Sequence, residues 1–386
     1  MKGKKKPEHL KRVLIGRFVK QIGMGRRRTD IKIKWVSSLG EIAGKEATSS
    51  KSSQVVGLHA TFNDGHVDDR TICLRYGSDK PLLRLRPELT LADAMGVTRI
   101  MGALRERLKA RYGSDALRVP SPSHHWIVLK SGKLHKLPQP EEWDCTASIR
   151  PFVLDLNSYL SCLKKRQSNT EPEATDATTM QALAELLSII HVKPNVEDVE
   201  RKPPYRECVS YILSRIGGWH NLSLGAHSIL APAEARGLHS LICDTLHENT
   251  GTSDRLREVW GDMHFGNLLC DNNRRFIPID PRVRGGFPQV GDAGLDVGFL
   301  LTDLWWFYRV FDNSVFRYLA HLLLEAYEKA TGDTKIRFMA AQWGVPYRTA
   351  MRLKSEYVKE GELAKARPFI QDMQTWMSNR CVDVTL

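Results

Sequence analysis

The chain has 386 residues, of which 42% are apolar, and nine are Trp, which is typical of a globular protein with a sizeable buried core. Average Gly and Pro contents exclude fibrous and largely disordered classes, and no apolar run reaches the roughly 18 residues of a membrane-spanning helix. The net charge of +13 is concentrated at the start: residues 1–34 hold thirteen Lys or Arg and two acidic residues, a net of +11, so the rest carries only +2.

We expect residues 1–30 to form a basic arm. Such an arm could bind nucleic acid through its phosphates or lie on an anionic membrane, and the amphipathic spacing of LKRVLIGRFVK also permits organelle targeting. The plainer interpretation is a solvated leader, or a helix packed on the first lobe.

Seven Cys are scattered singly along the chain, with no C-x-x-C pair. This pattern argues against a disulfide framework or a zinc ribbon and favours a reducing compartment. We therefore expect a cytoplasmic protein.

The pattern from residue 31 to about 90 predicts antiparallel strands. The apolar segments IKIKWV, QVVGLHATF, RTICLRYG and PLLRLRPE are joined by turn material such as NDGHVDD and GSDK. The next segment, TLADAMGVTRIMGALRERLKARYG, has apolar residues at helical spacing and stops at Gly113. WIVLKSGKLHKLP predicts a hairpin, and TASIRPFVLDLNSYL predicts a strand leading into a helix.

Beyond residue 150 the pattern becomes helical. The polar, Thr-rich segment 167–179 predicts a surface loop, and MQALAELLSIIH after it predicts an amphipathic helix that ends before Lys193-Pro194. Further helical patterns cover 205–216, 233–247, 296–310, 314–331, 336–343, 347–359 and 363–378. The one strand signal is RRFIPID, at 274–280. The fold class is therefore α+β, with a β-rich domain over 31–153 and a helix-rich domain over 154–386.

The segment WGDMHFGN at 260–267 crowds polar side chains around two glycines, which favours a tight loop over a helix. NLLC, NN and RRFIPID then predict a hairpin that brings Asp280 back beside Asn267. A carboxylate and an amide can hold Mg²⁺, and the carboxylate of Asp262 can serve as a base. That is the layout phosphoryl transfer requires. Taken in isolation, the same residues could simply form a polar turn.

A third motif, GDAGLDVG at 291–298, stands at the head of an apolar helical pattern. Together with GDMHFGN and IPID, it resembles the aminoglycoside phosphotransferase family, whose pattern is close to H-G-D-x-H-x-x-N, I-D and G-D-P-x-x-D. The resemblance implies a protein-kinase-like, two-lobed fold with a small β-rich N-lobe and a larger helical C-lobe. It also implies ATP and Mg²⁺ as cofactors. The run Ile279-Asp280-Pro281 is similar to that of family members that phosphorylate streptomycin-like or other small hydroxylated molecules.

The resemblance also implies roles for residues at matching positions. Asp262 resembles the catalytic base, and Asn267 and Asp280 resemble the Mg²⁺ ligands that bridge the nucleotide phosphates. Asp296 resembles a helix-capping Asp that hydrogen-bonds the catalytic loop. His264 matches the second His of the motif, which we interpret as organising the loop.

Three further positions bear on this motif. Trp260 stands where the family usually has His, so the hydrogen bond of that His to the metal-binding segment must be lost or replaced. Ala293 replaces the usual Pro. His191, in SIIHVKP, resembles the end of the helix that precedes the catalytic segment, and we expect it to be a packed core histidine and not a ligand.

The match of the first lobe is looser. PLLRLRPE resembles the strand whose cation contacts the nucleotide phosphates, which makes Arg84 the candidate, with Arg75 as its rival one hairpin away. Glu106 is the expected ion-pair partner on the long helix, although a solvated helix charge is an equal alternative. Either GEIAGKEATSSKSSQ or FNDGHVDDR could cover the phosphates, and SIRPFV at 148–153 falls where a hinge would contact adenine.

The expected partner is a small molecule with a hydroxyl group; the acceptor, the choice of ATP or GTP, and the oligomeric state stay open. One alternative is a protein-directed kinase of the same fold. Another is a nucleic-acid-associated regulator that uses the basic arm and the segment 338–361, where AAxxGVPxxT resembles a helix-turn-helix. In this position a pair of helices in the second lobe is the plainer interpretation.

Overall fold

The computed structural model describes residues 28–35, 53–62, 67–75, 91–113, 126–128, 134–136, 174–194, 230–247, 253–270, 276–279, 281–284, 287–353 and 365–385. This part of the chain is mostly helical, with short antiparallel sheets. It divides into two compact units, the first holding the three leading strands and the second holding all the other described elements. None of the described helices is both long enough and apolar enough to cross a membrane.

The first unit contains one antiparallel sheet in the order β1–β2–β3. Its strands are Arg28–Trp35, Ser53–Phe62 and Val67–Arg75. In the register, Ile33 lies opposite Leu58 and Val56 lies opposite Ile72. The first three predicted strands are thereby confirmed. The fourth, PLLRLRPE, lies outside the described residues.

The second unit begins with α1, Leu91–Tyr112, which contacts the strand segments Val283–Arg284 and Phe287–Gly291. It buries Met101, Leu104 and Leu108, whose spacing of three and four residues places them on one face of the helix. Its predicted stop is confirmed at Gly113, whose φ of +60° suits glycine. The predicted hairpin is also confirmed, because β4, Trp126–Val128, pairs antiparallel with β5, Leu134–Lys136.

Helix α2 spans Ala174–Ile190, so the prediction of a surface loop over 167–179 is wrong from residue 174 onward. The hydroxyl of Thr178 donates to the carbonyl of Ala174, and that of Thr179 donates to the carbonyl of Thr175, each four residues back. The Thr side chains therefore find their partners within the helix, which is why a polar composition did not prevent helix formation here.

The later helices follow the predicted pattern closely. Helix α3 spans Pro232–His247, whereas the predicted helix 205–216 lies outside the described residues. The remaining helices are α4 Gly294–Phe311, α5 Ser314–Thr331, α6 Ile336–Gln342, α7 Gly344–Arg352 and α8 Arg367–Asn379. Two of these starts differ from the prediction by more than two residues. Helix α7, predicted over 347–359, begins three residues earlier, at the residue that allows its close packing on α4. Helix α8, predicted over 363–378, begins four residues later.

Five short strands surround the polar motifs. They are β6 Arg257–Val259, β7 Leu268–Cys270, β8 Phe276–Pro278, β9 Val283–Arg284 and β10 Phe287–Gly291. One sheet has the order β6–β10–β9, and β7 pairs with β8. The hairpin predicted from NLLC, NN and RRFIPID is confirmed as β7 and β8. Strands β6, β9 and β10 were not predicted, because segments of two to five residues are too short to show a periodic pattern.

Helix α4 is the centre of the second unit and is buried along most of its length. It contacts α5, α6, α7 and α8. The crossing with α7 requires glycine on both helices: a Cβ on Gly298 would lie 2.7 Å from the Cα of Gly344, and a Cβ on Gly344 would overlap the carbonyl oxygen of Leu295. The two backbones are therefore in direct contact.

This contact makes Gly344→Ala strongly destabilising. The added methyl group has to push two backbones apart, which costs about 1–3 kcal/mol or more of unfolding free energy. Urea unfolding followed by Trp fluorescence measures the loss. Gly237→Ala in α3 is the matched control, because no heavy atom lies within 4 Å of its added Cβ, and it should be neutral or stabilising by up to about 1 kcal/mol. Equal stability of the two variants would contradict this packing.

The segment that resembles a helix-turn-helix is part of this core. Val345, Thr349 and Ala350 are fully buried, and α7 packs against α4. A recognition helix must expose its side chains to enter a DNA groove. The burial of α7 therefore favours the interpretation as a helix pair.

Candidate active site

The loop between β6 and β7 carries the motif WGDMHFGN. Gly261 adopts a left-handed conformation with φ of +79°, which turns the chain sharply after β6. His264 then caps a short 3₁₀ turn, Phe265–Asn267, because its Nδ1 accepts a hydrogen bond from the backbone N–H of Gly266 at 3.0 Å. The predicted tight loop is confirmed, and His264 organises it as expected.

The hairpin β7–β8 returns the chain to this loop. Leu268 lies opposite Pro278, and the backbone N–H of Ile279 donates to the carbonyl of Asn267 at 2.7 Å. The predicted return is therefore confirmed as far as Ile279. Asp280, the next residue and a predicted Mg²⁺ ligand, lies outside the described residues.

The two oxygens of the Asp262 carboxylate differ in their hydrogen bonding. Oδ2 accepts a hydrogen bond from Nη2 of Arg282 at 3.3 Å. Oδ1 is buried and has no hydrogen-bond partner among the described residues. Nearby, Nδ2 of Asn267 donates to the backbone carbonyl of Asp262 at 3.0 Å, so the amide oxygen is the atom that Asn267 can offer to a cation.

Asp296 holds the start of the loop. Its buried carboxylate accepts hydrogen bonds from the backbone N–H groups of Trp260, at 2.6 Å, and Gly261, at 2.8 Å. The contact with the loop that the resemblance implied is thus confirmed. The predicted N-cap role is wrong, because α4 begins at Gly294 and its N-cap residue is Ala293, which makes no side-chain cap. Asp296 lies in the first turn, where both of its oxygens are used by the loop.

His191 is a buried core histidine, as predicted. Its Nε2 lies 3.1 Å from Oδ2 of Asp296, and its Nδ1 lies 2.9 Å from the hydroxyl of Tyr327. Because an ionised carboxylate only accepts hydrogen bonds, Nε2 must carry the proton, and in the neutral ring Nδ1 then accepts from Tyr327. The hydrogen-bond series Tyr327–His191–Asp296 therefore holds the loop in place through Asp296.

Trp260, which stands where the family usually has His, makes a side-chain hydrogen bond of its own. The indole is fully buried, and its Nε1 donates to the carbonyl of Ile279 at 2.9 Å. Its own carbonyl accepts from the backbone N–H of Arg282 at 2.8 Å. Trp260 is thus hydrogen-bonded to Ile279 and to Arg282, which precede and follow Asp280 in the sequence, and this replaces the bond expected from the family His.

No model of a known protein family matches the chain, and no curated protein matches it. Among solved structures, a macrolide 2′-phosphotransferase type I is 16% identical, with coverage of 91% of this chain and 96% of its own and a TM-score of 0.39. A spectinomycin phosphotransferase in complex with ADP and spectinomycin is 11% identical, with coverage of 93% and 98% and a TM-score of 0.42. An amicoumacin kinase in complex with AMP-PNP, Ca²⁺ and its ligand is 10% identical, with coverage of 93% of each chain and a TM-score of 0.43. The chain is similar to small-molecule phosphotransferases.

A test of the Trp260 contact is the pair of variants Trp260→Phe and Trp260→His. The Phe variant loses the N–H donor and leaves the carbonyl of Ile279 without its partner, which should lower the unfolding free energy by about 1–3 kcal/mol. The His variant keeps a donor but leaves a cavity, which should cost a similar or larger amount. Urea unfolding measures both. Wild-type stability of the Phe variant would show that the indole N–H does not hold the segment.

A second cluster behind the loop was missed by the sequence reading. The buried Asp303 accepts from Nε of Arg348 at 2.8 Å and from Nη2 of Arg352 at 2.7 Å. Its Oδ2 also lies 3.4 Å from the backbone N–H of Phe265. The one available signal was a lone acidic residue in the apolar run FLLTDLWWFY, since a buried charge needs a partner.

This cluster affects His264. Burial and then the positive charge of Arg348 lower the pKa of His264 to about 4. The imidazole is therefore neutral near pH 7, so its Nδ1 can accept the hydrogen bond from Gly266.

The residues predicted for the nucleotide site are only partly described. Glu106 is exposed on α1, where its carboxylate lies 3.3 Å from Nε of Arg105. The neighbouring Arg107 instead reaches Glu258 of β6 at 2.6 Å. Arg84 and the segment 148–153 lie outside the described residues, and Arg75 is placed in β3 by its backbone only. The roles of Arg84 and Glu106 stay predictions.

Proposed function

We propose that the chain transfers the γ-phosphoryl group of ATP to a hydroxyl group of a small molecule. The observation that carries this proposal is the state of Asp262, whose Oδ1 is buried without a hydrogen-bond partner among the described residues. Leaving such an atom unpaired costs about 1–3 kcal/mol, so it calls for an explanation. A base that must accept the proton of a substrate hydroxyl provides one.

The chemistry of Asn267 and Asp280 supports a divalent metal in the proposed site. The amide nitrogen of Asn267 donates within the protein, so its hard oxygen is the atom left for a cation. Ile279, which precedes Asp280 in the sequence, is hydrogen-bonded to Asn267. Amide and carboxylate oxygens are suitable ligands for Mg²⁺. When bound, the metal would neutralise the charge of the nucleotide phosphates. In our proposal Asn267 and Asp280 hold it.

The other residues of the site act by fixing these groups. Asp296 and His191 keep the loop in place, so Asp262 can orient the acceptor hydroxyl and take its proton without a loop rearrangement. Trp260 is hydrogen-bonded to Ile279, the residue before Asp280. Preorganisation of this kind is what phosphoryl transfer requires from a protein.

The proposal extends to the organisation of the chain. A β-rich lobe over 31–153 would bind the nucleotide, with Arg84 at the phosphates and Glu106 as its ion-pair partner, and a helical lobe over 154–386 would carry the catalytic loop. Together they would form a two-lobed, kinase-like fold, with residues 1–30 as a basic arm. The three motifs within 260–296 support this arrangement.

The test is a transfer screen. The full chain is incubated with Mg²⁺ and ATP labelled at the γ-phosphate, in parallel with a panel of aminocyclitols, macrolides and amino sugars, with mixed proteins, and with DNA. We expect label on a small molecule and its loss when EDTA removes the metal. Label on protein alone would instead identify a protein-directed kinase. An absence of transfer to every acceptor, or transfer that EDTA does not affect, would contradict the proposal.

A further inference from the structure

Arg282 follows Asp280 by two residues and forms an ion pair with the proposed base, Asp262. Its Nη2 lies 3.3 Å from Oδ2 of Asp262, and both side chains are mostly buried. Arg282 lies outside the three motifs GDMHFGN, IPID and GDAGLDVG. The ion pair joins residues twenty positions apart, across the β7–β8 hairpin.

The backbone of Arg282 is fixed to the same loop that carries Asp262. Its N–H donates to the carbonyl of Trp260 at 2.8 Å, and the indole of Trp260 donates to Ile279 on the other side of the segment. Trp260 is in turn held by Asp296. The guanidinium and the carboxylate therefore start from anchored backbones, so their pairing orders few additional groups.

The ion pair with Arg282 gives the two oxygens of the Asp262 carboxylate different surroundings. With Oδ2 held by the guanidinium, rotation of the carboxylate about its terminal bond is restricted, and Oδ1 is left as the oxygen without a hydrogen bond among the described residues. An unrestrained carboxylate would present either oxygen in a broad range of orientations. A restrained one meets the acceptor with a fixed lone pair, which is the condition for efficient proton transfer.

We propose that Arg282 is a positioning residue that holds Oδ2 of Asp262 so that Oδ1 faces the acceptor hydroxyl. The inference rests on the proposed function, in which Asp262 is the base. In this proposal Arg282 does not contact the substrate, because Arg282 acts only through Asp262. Removing Arg282 should therefore matter only while Asp262 is present to act as a base.

The test is a double-mutant cycle on Arg282→Gln, Asp262→Asn and the double variant, with Arg282→Lys as the conservative change. The reaction followed is ADP release from Mg-ATP in the presence of the pooled hydroxylated compounds of the transfer screen. We expect Arg282→Gln to lower kcat by about tenfold to a hundredfold and to leave KM for ATP within about twofold. Arg282→Lys should recover part of the loss. In the Asp262→Asn background, Arg282→Gln should cause no further loss.

Two results would overturn the inference while the proposed function stands. In one, Asp262→Asn abolishes activity but Arg282→Gln keeps wild-type kcat. In the other, the two losses multiply, which would mean that Arg282 acts independently of Asp262. Wild-type activity of Asp262→Asn would instead overturn the proposed function, and this inference with it. Arg367→Gln, at an exposed ion pair with Glu234, is the matched control and should behave as wild type.

Discussion

Asp262→Asn is expected to lower the rate of phosphoryl transfer by about a hundredfold to ten-thousandfold, the range that general bases contribute. The amide has nearly the shape of the carboxylate, so the loop held by Asp296 and His191 should keep its conformation. An amide, however, cannot take the proton of the acceptor hydroxyl. The variant should therefore bind Mg-ATP and fail at the chemical step.

The measurement is kcat for ADP release with the hydroxylated compounds present, alongside the affinity for Mg-ATP from calorimetry. Asp244→Asn, on an exposed position of α3, is the matched control and should keep wild-type values. Full activity of Asp262→Asn would remove Asp262 from the reaction. Loss of Mg-ATP binding together with activity would show that the variant disturbs the site and not the proton transfer.

Asp303→Asn is expected to cause the largest loss of stability, about 3–5 kcal/mol of unfolding free energy. Asp303 is fully buried and shared by Arg348 and Arg352, at distances of 2.7–3.1 Å. Neutralising it leaves two largely buried guanidinium groups without their shared counter-charge, and breaking a buried pair from one side is costly in this way. The loop should loosen as well, because Asp303 also faces the backbone N–H of Phe265.

The pH dependence of this cluster has a definite sign. Burial alone would raise the pKa of Asp303, but Arg348 and Arg352 together hold it well below its ordinary value of 3.8. A carboxyl group with a depressed pKa contributes stability above the unfolded value, and this contribution is lost as the pH falls below it. Wild-type stability should therefore fall below about pH 3.8 more steeply than that of Asp303→Asn.

Urea unfolding at pH 7 and over the acid range tests both statements. Glu325→Gln is the control: it changes an exposed contact between Glu325 and His321 at 3.2 Å, and exposed pairs contribute about 0–1 kcal/mol. If Asp303→Asn were as stable as Glu325→Gln at pH 7, the buried cluster would not be a stabilising centre of the second unit.

The sequence predicted the long elements because their patterns repeat over several turns. Helix α5 has its predicted bounds, Ser314–Thr331, and α4 differs from its prediction by at most two residues at each end. The short strands β6, β9 and β10 carry too few residues for a period to show. The start of α2 was missed because Thr hydroxyls that bond within the helix look, in sequence, like loop residues.

In the candidate site, too, the local features were predicted and the long-range contacts were not. The loop with Asp262 and Asn267 was predicted because its residues are local and its glycines indicate a turn. The ion pairs of Asp262 with Arg282 and of Asp303 with Arg348 depend on how the chain returns after twenty and 45 residues. A local sequence pattern does not show which distant residue the chain brings back, so these ion-pair partners could be identified only from the structure.

The most direct test of the central claim is a crystal structure of the chain with Mg²⁺ and AMP-PNP. We predict one Mg²⁺ at about 2.0–2.1 Å from the amide oxygen of Asn267 and from the carboxylate of Asp280. The γ-phosphate should point toward Asp262 with room for the acceptor hydroxyl between it and Oδ1, and Oδ2 should still be paired with Arg282. A metal bound away from Asn267 and Asp280, or a nucleotide whose γ-phosphate lies far from Asp262, would contradict the claim that this loop performs phosphoryl transfer.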